Sequence, residues 1–253
     1  MKSFFIALQF LSRIHIVRQS VWSDEDFGRS VLFFPLVGLI IGALLCAVYM
    51  AVSLIFAPFY SAAMVVGFWF FLTGGLHADG FMDTADGIFS GRSQERMLEI
   101  LKDSRVGSNG VLAFFFLAFF KISFLANIPV PLVYMVLLGI PAAARFGTLI
   151  SIFQFPYARS QGLGMAFTQH QPSHVLVKGF LLALLPAVYG GFLYLVLLGS
   201  AMLTALLANR YIVCRLGGVT GDTYGAVLEC SEVMLLGEAA LLVSAVQKTV
   251  FSL

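Results

Sequence analysis

From Ser30 to Ala78 the chain contains no Asp, Glu, Lys or Arg. A run of that length belongs inside a large protein core or a lipid bilayer. With 60% hydrophobic and 11% charged residues and a mean hydropathy of +0.95, the 253-residue chain lies outside the soluble globular range. The expectation is an all-α, polytopic integral membrane protein, a bundle of about six or seven transmembrane helices arranged largely as hairpins. Residues 1–253 form one membrane-embedded domain in this reading.

A crossing helix needs about 20 mostly apolar residues. Residues 31–56 and 60–77 supply two, joined at Ala57-Pro58-Phe59, and 111–127 and 132–153 supply two more around Pro129-Val130-Pro131. The uncharged run 179–209 would be about 46 Å long as one helix, more than a bilayer core, so a break near Gly199-Ser200 is expected. Residues 233–250 make the last span. The apolar stretch Phe4–Leu11 is short, contains Gln9 and leads to Arg13, His15 and Arg18 instead of a small-residue cleavage site. It reads as an interfacial or re-entrant helix, not a signal peptide, with spanning by residues 1–12 left open. The polar segments 12–30, 78–110, 154–178 and 209–232 then share one side and hold 11 of the 15 basic residues. The positive-inside rule makes that side cytoplasmic. A net charge of +2 with no basic run excludes a nucleic-acid partner, and Cys46, Cys214 and Cys230 lack metal-ligand spacing.

At the edge of the uncharged run stands Gly75-Leu-His-Ala-Asp-Gly-Phe-Met-Asp-Thr-Ala-Asp-Gly87. On a helix, offsets of four and seven residues bring Asp79, Asp83 and Asp86 within roughly 60° of one another. Carboxylates that close repel unless a cation lies between them. Magnesium takes hard oxygens, commonly one or two carboxylates plus substrate phosphates. The motif therefore points to a magnesium-diphosphate site at the membrane surface, against the plainer readings of a helix cap or a cation pathway. Glu95 and Glu99, interleaved with Arg92, Arg96 and Lys102, have the pattern of a solvated helix. Asp103 leads into the next span and stays a substrate-side candidate.

A second cluster, Arg215-Leu-Gly-Gly-Val-Thr-Gly-Asp-Thr-Tyr-Gly225, sets Asp222 among glycines on the same side of the membrane, a candidate second wall. Glu229 and Glu232 follow at i, i+3. Lys121 and Arg145 are charges inside spans, which either snorkel or serve a site, and Arg145 is a candidate phosphate ligand. On a continuous helix His77 points away from the carboxylates; it becomes a candidate base only if the helix breaks at Gly80.

Together, GGLHADGFMDTADG, LEILKDSRVGSNG, YARSQGLG and RLGGVTGDTYGA with Glu229 and Glu232, preceded by ALQFLSRI and FFPLVGLIIG, resemble the cobalamin synthase family, adenosylcobinamide-GDP ribazoletransferase. The likeness runs through nearly the whole chain in order. It implies a multi-pass enzyme of the bacterial cytoplasmic membrane, facing the cytoplasm and requiring Mg2+. Such an enzyme joins adenosylcobinamide-GDP to α-ribazole, or its 5′-phosphate, and releases GMP. The resemblance would make Asp79, Asp83 and Asp86 the metal ligands and Asp83, Asp86 and Asp222 the catalytic carboxylates, Asp222 either completing the metal site or acting as general base for the hydroxyl. Arg92, Asp103, Arg105, Arg145, Arg215 and Glu229 would bind substrate or phosphate. The bilayer is the other partner, and the oligomeric state is left open. Rival readings are a CDP-alcohol phosphatidyltransferase, whose DG-x-x-AR run is missing here, a prenyltransferase, which would want a second Asp cluster around Asp222, and a cation-coupled transporter.

Overall fold

The computed structural model describes residues 2–17, 23–159 and 162–251. Among them all regular structure is helical, with one isolated bridge, Tyr157 to Val219, and no strand. Arg18, and Ser160 and Gln161 of the YARSQGLG segment, lie outside the described residues. Helix α1 (Lys2–Leu11) buries Ile6, Ala7, Leu8 and Leu11, and its 10 residues are too few to span a bilayer. Helix α2 (Asp24–Ser30) starts at Ser23, whose Oγ accepts the Asp26 N–H at 3.1 Å, and runs through a 3-10 turn into α3 (Phe34–Val52).

Next come α4 (Pro58–Leu72), α5 (Leu76–Phe89), the surface helix α6 (Gln94–Ile100), α7 (Ser108–Ala126) and α8 (Val130–Gln154). Pro58 and Pro131 sit in the first turns of α4 and α8, where the missing N–H costs nothing, so both proline-marked turns fall where expected. The chain continues as α9 (Leu163–Gln169), α10 (Val175–Ala183), α11 (Ala187–Leu216) and α12 (Gly221–Phe251). α8 and α12 are the inner helices. α8 is buried almost continuously from Met135 to Ile152, and α12 from Thr223 to Glu229.

Two expected boundaries are corrected. The run 179–209 breaks not at Gly199-Ser200 but at Leu184–Pro186, and again at Gly191, whose φ of 54° and ψ of −142° are non-helical. The two pieces are 9 and 30 residues long, and α10 packs against α8 and α3 instead of back along α11, so the expected hairpin does not form. The last helix starts at Gly221 instead of 233, which puts Asp222, Glu229 and Glu232 on one element.

Among the described residues, four helical stretches are long and apolar enough to cross a membrane: Asp24–Val52, Ser108–Ala126, Val130–Gln154 and Ala187–Leu216. The pair α4 and α5, bent by 90°, would make a fifth if counted as one span, but α5 runs across the direction of α4. The all-α polytopic architecture holds, with four or five spans by length and composition among the described residues; the expected last span, 233–250, lies outside that count. α12 carries Asp222, Glu229, Glu232 and Glu238. Two of those acids are compensated inside the bundle. Lys121 Nζ on α7 donates to Glu229 at 2.5 Å and Glu232 at 2.6 Å, and Arg145 on α8 reaches Glu232 at 3.2 Å, all four side chains being buried.

Candidate active site

Gly74 and Gly75, at φ of 67° and 73°, take left-handed conformations that other residues adopt only with strain, and they turn the chain through the 90° corner into α5. The corner is braced from α1: Arg13 N–H donates to Leu72 O at 2.8 Å, and its guanidinium lies 5.1 Å from the Phe71 ring centroid. α5 then runs unbroken through Gly80, so His77 is buried while Asp79, Asp83 and Asp86 keep solvent access along the other edge. The spacing argument for the three carboxylates is met.

The opposing wall is the first turn of α12. Thr220 and Thr223 cap it reciprocally: Thr220 N–H donates to Thr223 Oγ1 at 2.8 Å and Thr223 N–H to Thr220 Oγ1 at 3.3 Å. Asp222 thus sits at the positive end of the helix dipole. The two walls touch backbone to backbone. A Cβ on Gly80 would stand 2.6 Å from Asp222 O, and one on Gly225 2.9 Å from His77 O. Only glycine permits that approach.

The result is a concentration of negative charge. Partial burial, together with Asp79, Asp222 and Asp86, pushes the Asp83 carboxyl up to about 6. Asp222 has one cationic partner, Arg159, whose Nη2 donates to it at 2.9 Å. Arg159 arrives because Ala158 N–H and Val219 N–H pair with Val219 O and Pro156 O, each at 2.8 Å, tying the connector after α8 to the connector before α12. The Arg159 Nε is buried without a hydrogen-bond partner.

Asp86 is differently engaged. Its oxygens accept the Gly107 N–H at 2.7 Å and the Gly110 N–H at 2.8 Å, satisfying donors at the start of α7 and clamping that helix to α5. Among the described residues no three His, Cys, Asp or Glu side chains converge closely enough to hold a metal ion by themselves.

A cavity of about 160 Å3 opens beside Asp79 and Asp222, between α1, α3, α5, α8, α9 and α12. Of the other expected site residues, Arg215 does not line the cavity: its Nη2 donates to Ile88 O at 3.4 Å, at the far end of α5. Arg92 is exposed in the loop before α6. Asp103 and Arg105 pair with each other at 2.6 Å in an exposed turn, which holds the Asp103 carboxyl down at about 2. Arg145 and Glu229 are not brought to the cavity; they belong to the buried ion-pair cluster with Lys121 and Glu232. The solvated-helix reading of Glu95 and Glu99 agrees with α6, where Arg96 pairs with Glu99 at 2.5 Å, both exposed. Arg159 is the site residue that the sequence reading did not single out; its signal was its place in the YARSQGLG landmark.

No solved structure matches the chain. Three similar proteins, all named adenosylcobinamide-GDP ribazoletransferase, are of matching length. The one from Desulfitobacterium hafniense is 40% identical over 261 residues, covering 96% of this chain and 98% of its own. That from Alkaliphilus metalliredigens is 39% identical, covering 92% of each. That from Acetivibrio thermocellus is 35% identical, covering 93% of this chain and 96% of its own. A family model described as Cobalamin-5-phosphate synthase matches residues 3–240. With agreement over nearly its whole length, the chain belongs to the cobalamin-5-phosphate synthase family.

Proposed function

We propose that this protein joins adenosylcobinamide-GDP to α-ribazole, or to its 5′-phosphate, with release of GMP, at the cytoplasmic face of a bacterial inner membrane. The observation that carries the reading is the acidic cleft between α5 and α12, where Asp79, Asp83 and Asp222 face one another across a backbone contact. The relatives' names supply the substrates; the cleft supplies a reason for diphosphate chemistry.

The donor set fits magnesium. Asp79 and Asp83 offer hard oxygens one turn apart, and the remaining ligand positions suit substrate phosphate oxygens, so a full protein cage is not needed. Bound there, the ion would neutralise charge on the diphosphate and on the departing phosphate. The chain's own groups do the rest. A substrate phosphate competes with Asp222 for the Arg159 guanidinium, whose Nε has no partner. Asp222, released from that pair, accepts the proton of the ribose hydroxyl. The hydroxyl oxygen forms its bond to the phosphorus nearer the cobinamide, the bridging P–O bond breaks, and GMP leaves with the electron pair. Asp86 keeps α5 and α7 in register and does not touch the reacting atoms. The buried pairs of Glu229 and Glu232 with Lys121 and Arg145 argue against a cation pathway, because no acid there is left uncompensated.

The test is GMP release by detergent-solubilised protein given adenosylcobinamide-GDP, α-ribazole and magnesium, with EDTA as control. Magnesium-dependent GMP with a new corrinoid product is expected. Folded protein that releases no GMP would overturn the assignment.

A further inference from the structure

Beyond Asp79 and Asp222, the cavity wall is apolar, formed by Phe10, Leu11, Phe34, Ile152, Phe167 and Leu228. Its aromatic end is braced. Phe167 stacks on Phe27 at 4.6 Å and 23°, and meets Phe34 edge-on at 5.6 Å and 88°. Phosphate chemistry has no use for such a surface.

The volume narrows the choice of guest. An apolar cavity of about 150 Å3 takes up a benzene-sized molecule. The cavity here, about 160 Å3, has room for one flat ring system and none for a corrinoid. Besides the two acids, His77, Thr148 and Tyr224 interrupt the apolar lining. His77 is 4% exposed and its Nδ1 has no hydrogen-bond partner, and the Thr148 hydroxyl, donating to Ala144 O at 3.4 Å, keeps lone pairs to accept with. Acids at one end and aromatic rings at the other match a nucleoside lying lengthwise, hydroxyls toward the carboxylates and base buried.

We propose that this cavity is the subsite for the flat aromatic base of the nucleoside acceptor, held against Phe34 and Phe167, with its ribose directed to Asp79 and Asp222. The assignment rests on the function proposed above and adds where, and by which side chains, the acceptor is recognised. A lipid acyl chain could fill an apolar slot, but it would gain nothing from carboxylates at the mouth.

The first test needs no variant: benzimidazole, added to wild-type protein during turnover, should inhibit competitively against α-ribazole and not against adenosylcobinamide-GDP. The second uses Ile152→Phe, which fills the slot, and Phe167→Ala, which removes a stacking face. Ile152→Phe should raise the KM for α-ribazole about tenfold or more. Phe167→Ala should raise it about fivefold or more. The KM for adenosylcobinamide-GDP should move less than about twofold, and Tm should confirm that each variant is folded. Equilibrium binding of benzimidazole without the corrinoid separates the two assignments. Binding that both variants weaken, in protein that releases no GMP, would sustain the subsite and sink the reaction. Benzimidazole that does not compete with α-ribazole, or an acceptor KM unmoved in folded variants, overturns the subsite and leaves the transferase standing. So does displacement of benzimidazole by phosphatidylglycerol with an unchanged acceptor KM.

Discussion

Replacing Lys121 by Met isolates what the buried charges contribute. The ammonium is fully buried, donates to Glu229 and Glu232 at 2.5 and 2.6 Å, and lies 4.6 Å from the Trp69 ring centroid. The cluster balances two cations, Lys121 and Arg145, against two anions. Lys121→Met leaves both carboxylates facing Arg145 alone, which bonds only Glu232. Breaking a buried pair by removing one partner costs about 3–5 kcal/mol, because the stranded charge stays out of water. At about 2–4 °C per kcal/mol for a chain of this size, Tm should fall by about 6–20 °C. The double variant Lys121→Met/Glu229→Leu restores one cation against one anion and keeps Arg145 on Glu232. It should recover at least about half of the loss, a non-additivity of about 1.5–3 kcal/mol in a double-mutant cycle. Thermal unfolding in detergent, followed by intrinsic fluorescence, reads all four proteins. If Lys121→Met costs under about 1 kcal/mol, or the double variant loses the sum of the single losses, the charges are not a compensated buried unit and the argument fails.

The acids of α5 should separate by role. Asp86→Asn loses charge-assisted bonds to Gly107 and Gly110 and should cost about 1.5–3 kcal/mol, whereas Asp83→Asn removes mutual repulsion and should leave Tm unchanged or higher; equal losses would refute the distinction. Asp222→Asn should lower kcat by about 10²–10⁴-fold with Tm within a few degrees, measured as GMP release. The Asp83 carboxyl, raised to about 6 from an unfolded value near 3.9, binds its proton more tightly in the folded, metal-free protein. Its contribution therefore favours folding increasingly as pH falls from above 6 towards 4, and fades as pH rises through 6. Magnesium competes with that proton, so its apparent Kd should rise by about tenfold per unit below pH 6; a flat Kd from pH 7 to 5 would exclude Asp83 as a ligand.

The class of fold and the Asp79 wall were legible because both are local signals: an uncharged run, and carboxylates spaced for one helical edge at its border. The break in the 179–209 run was misplaced although Pro186 marks it, because the split was set by span length near Gly199-Ser200 and not by the residue that cannot continue a helix. The start of α12 was set too late because Glu229 and Glu232 look like loop residues until their cations are known. Those cations lie on other helices, Lys121 some 108 residues from Glu229. Asp86 was grouped with its neighbours by periodicity, which cannot see the Gly107 and Gly110 donors that claim it. Arg159 escaped for the same reason: its role depends on the Tyr157–Val219 bridge, a contact across the fold.

The placement of the four buried charges also orders events during synthesis. Lys121 and Arg145 leave the ribosome with α7 and α8, well before Glu229 and Glu232 exist, and domains assemble as the chain emerges. Until α12 arrives, the nascent bundle lacks the carboxylates that pair with these two cations in the finished fold. The same docking step carries Asp222 up to Gly80 and completes the acidic cleft. A chain stalled before α12 is therefore left with two unpaired cations and without a site.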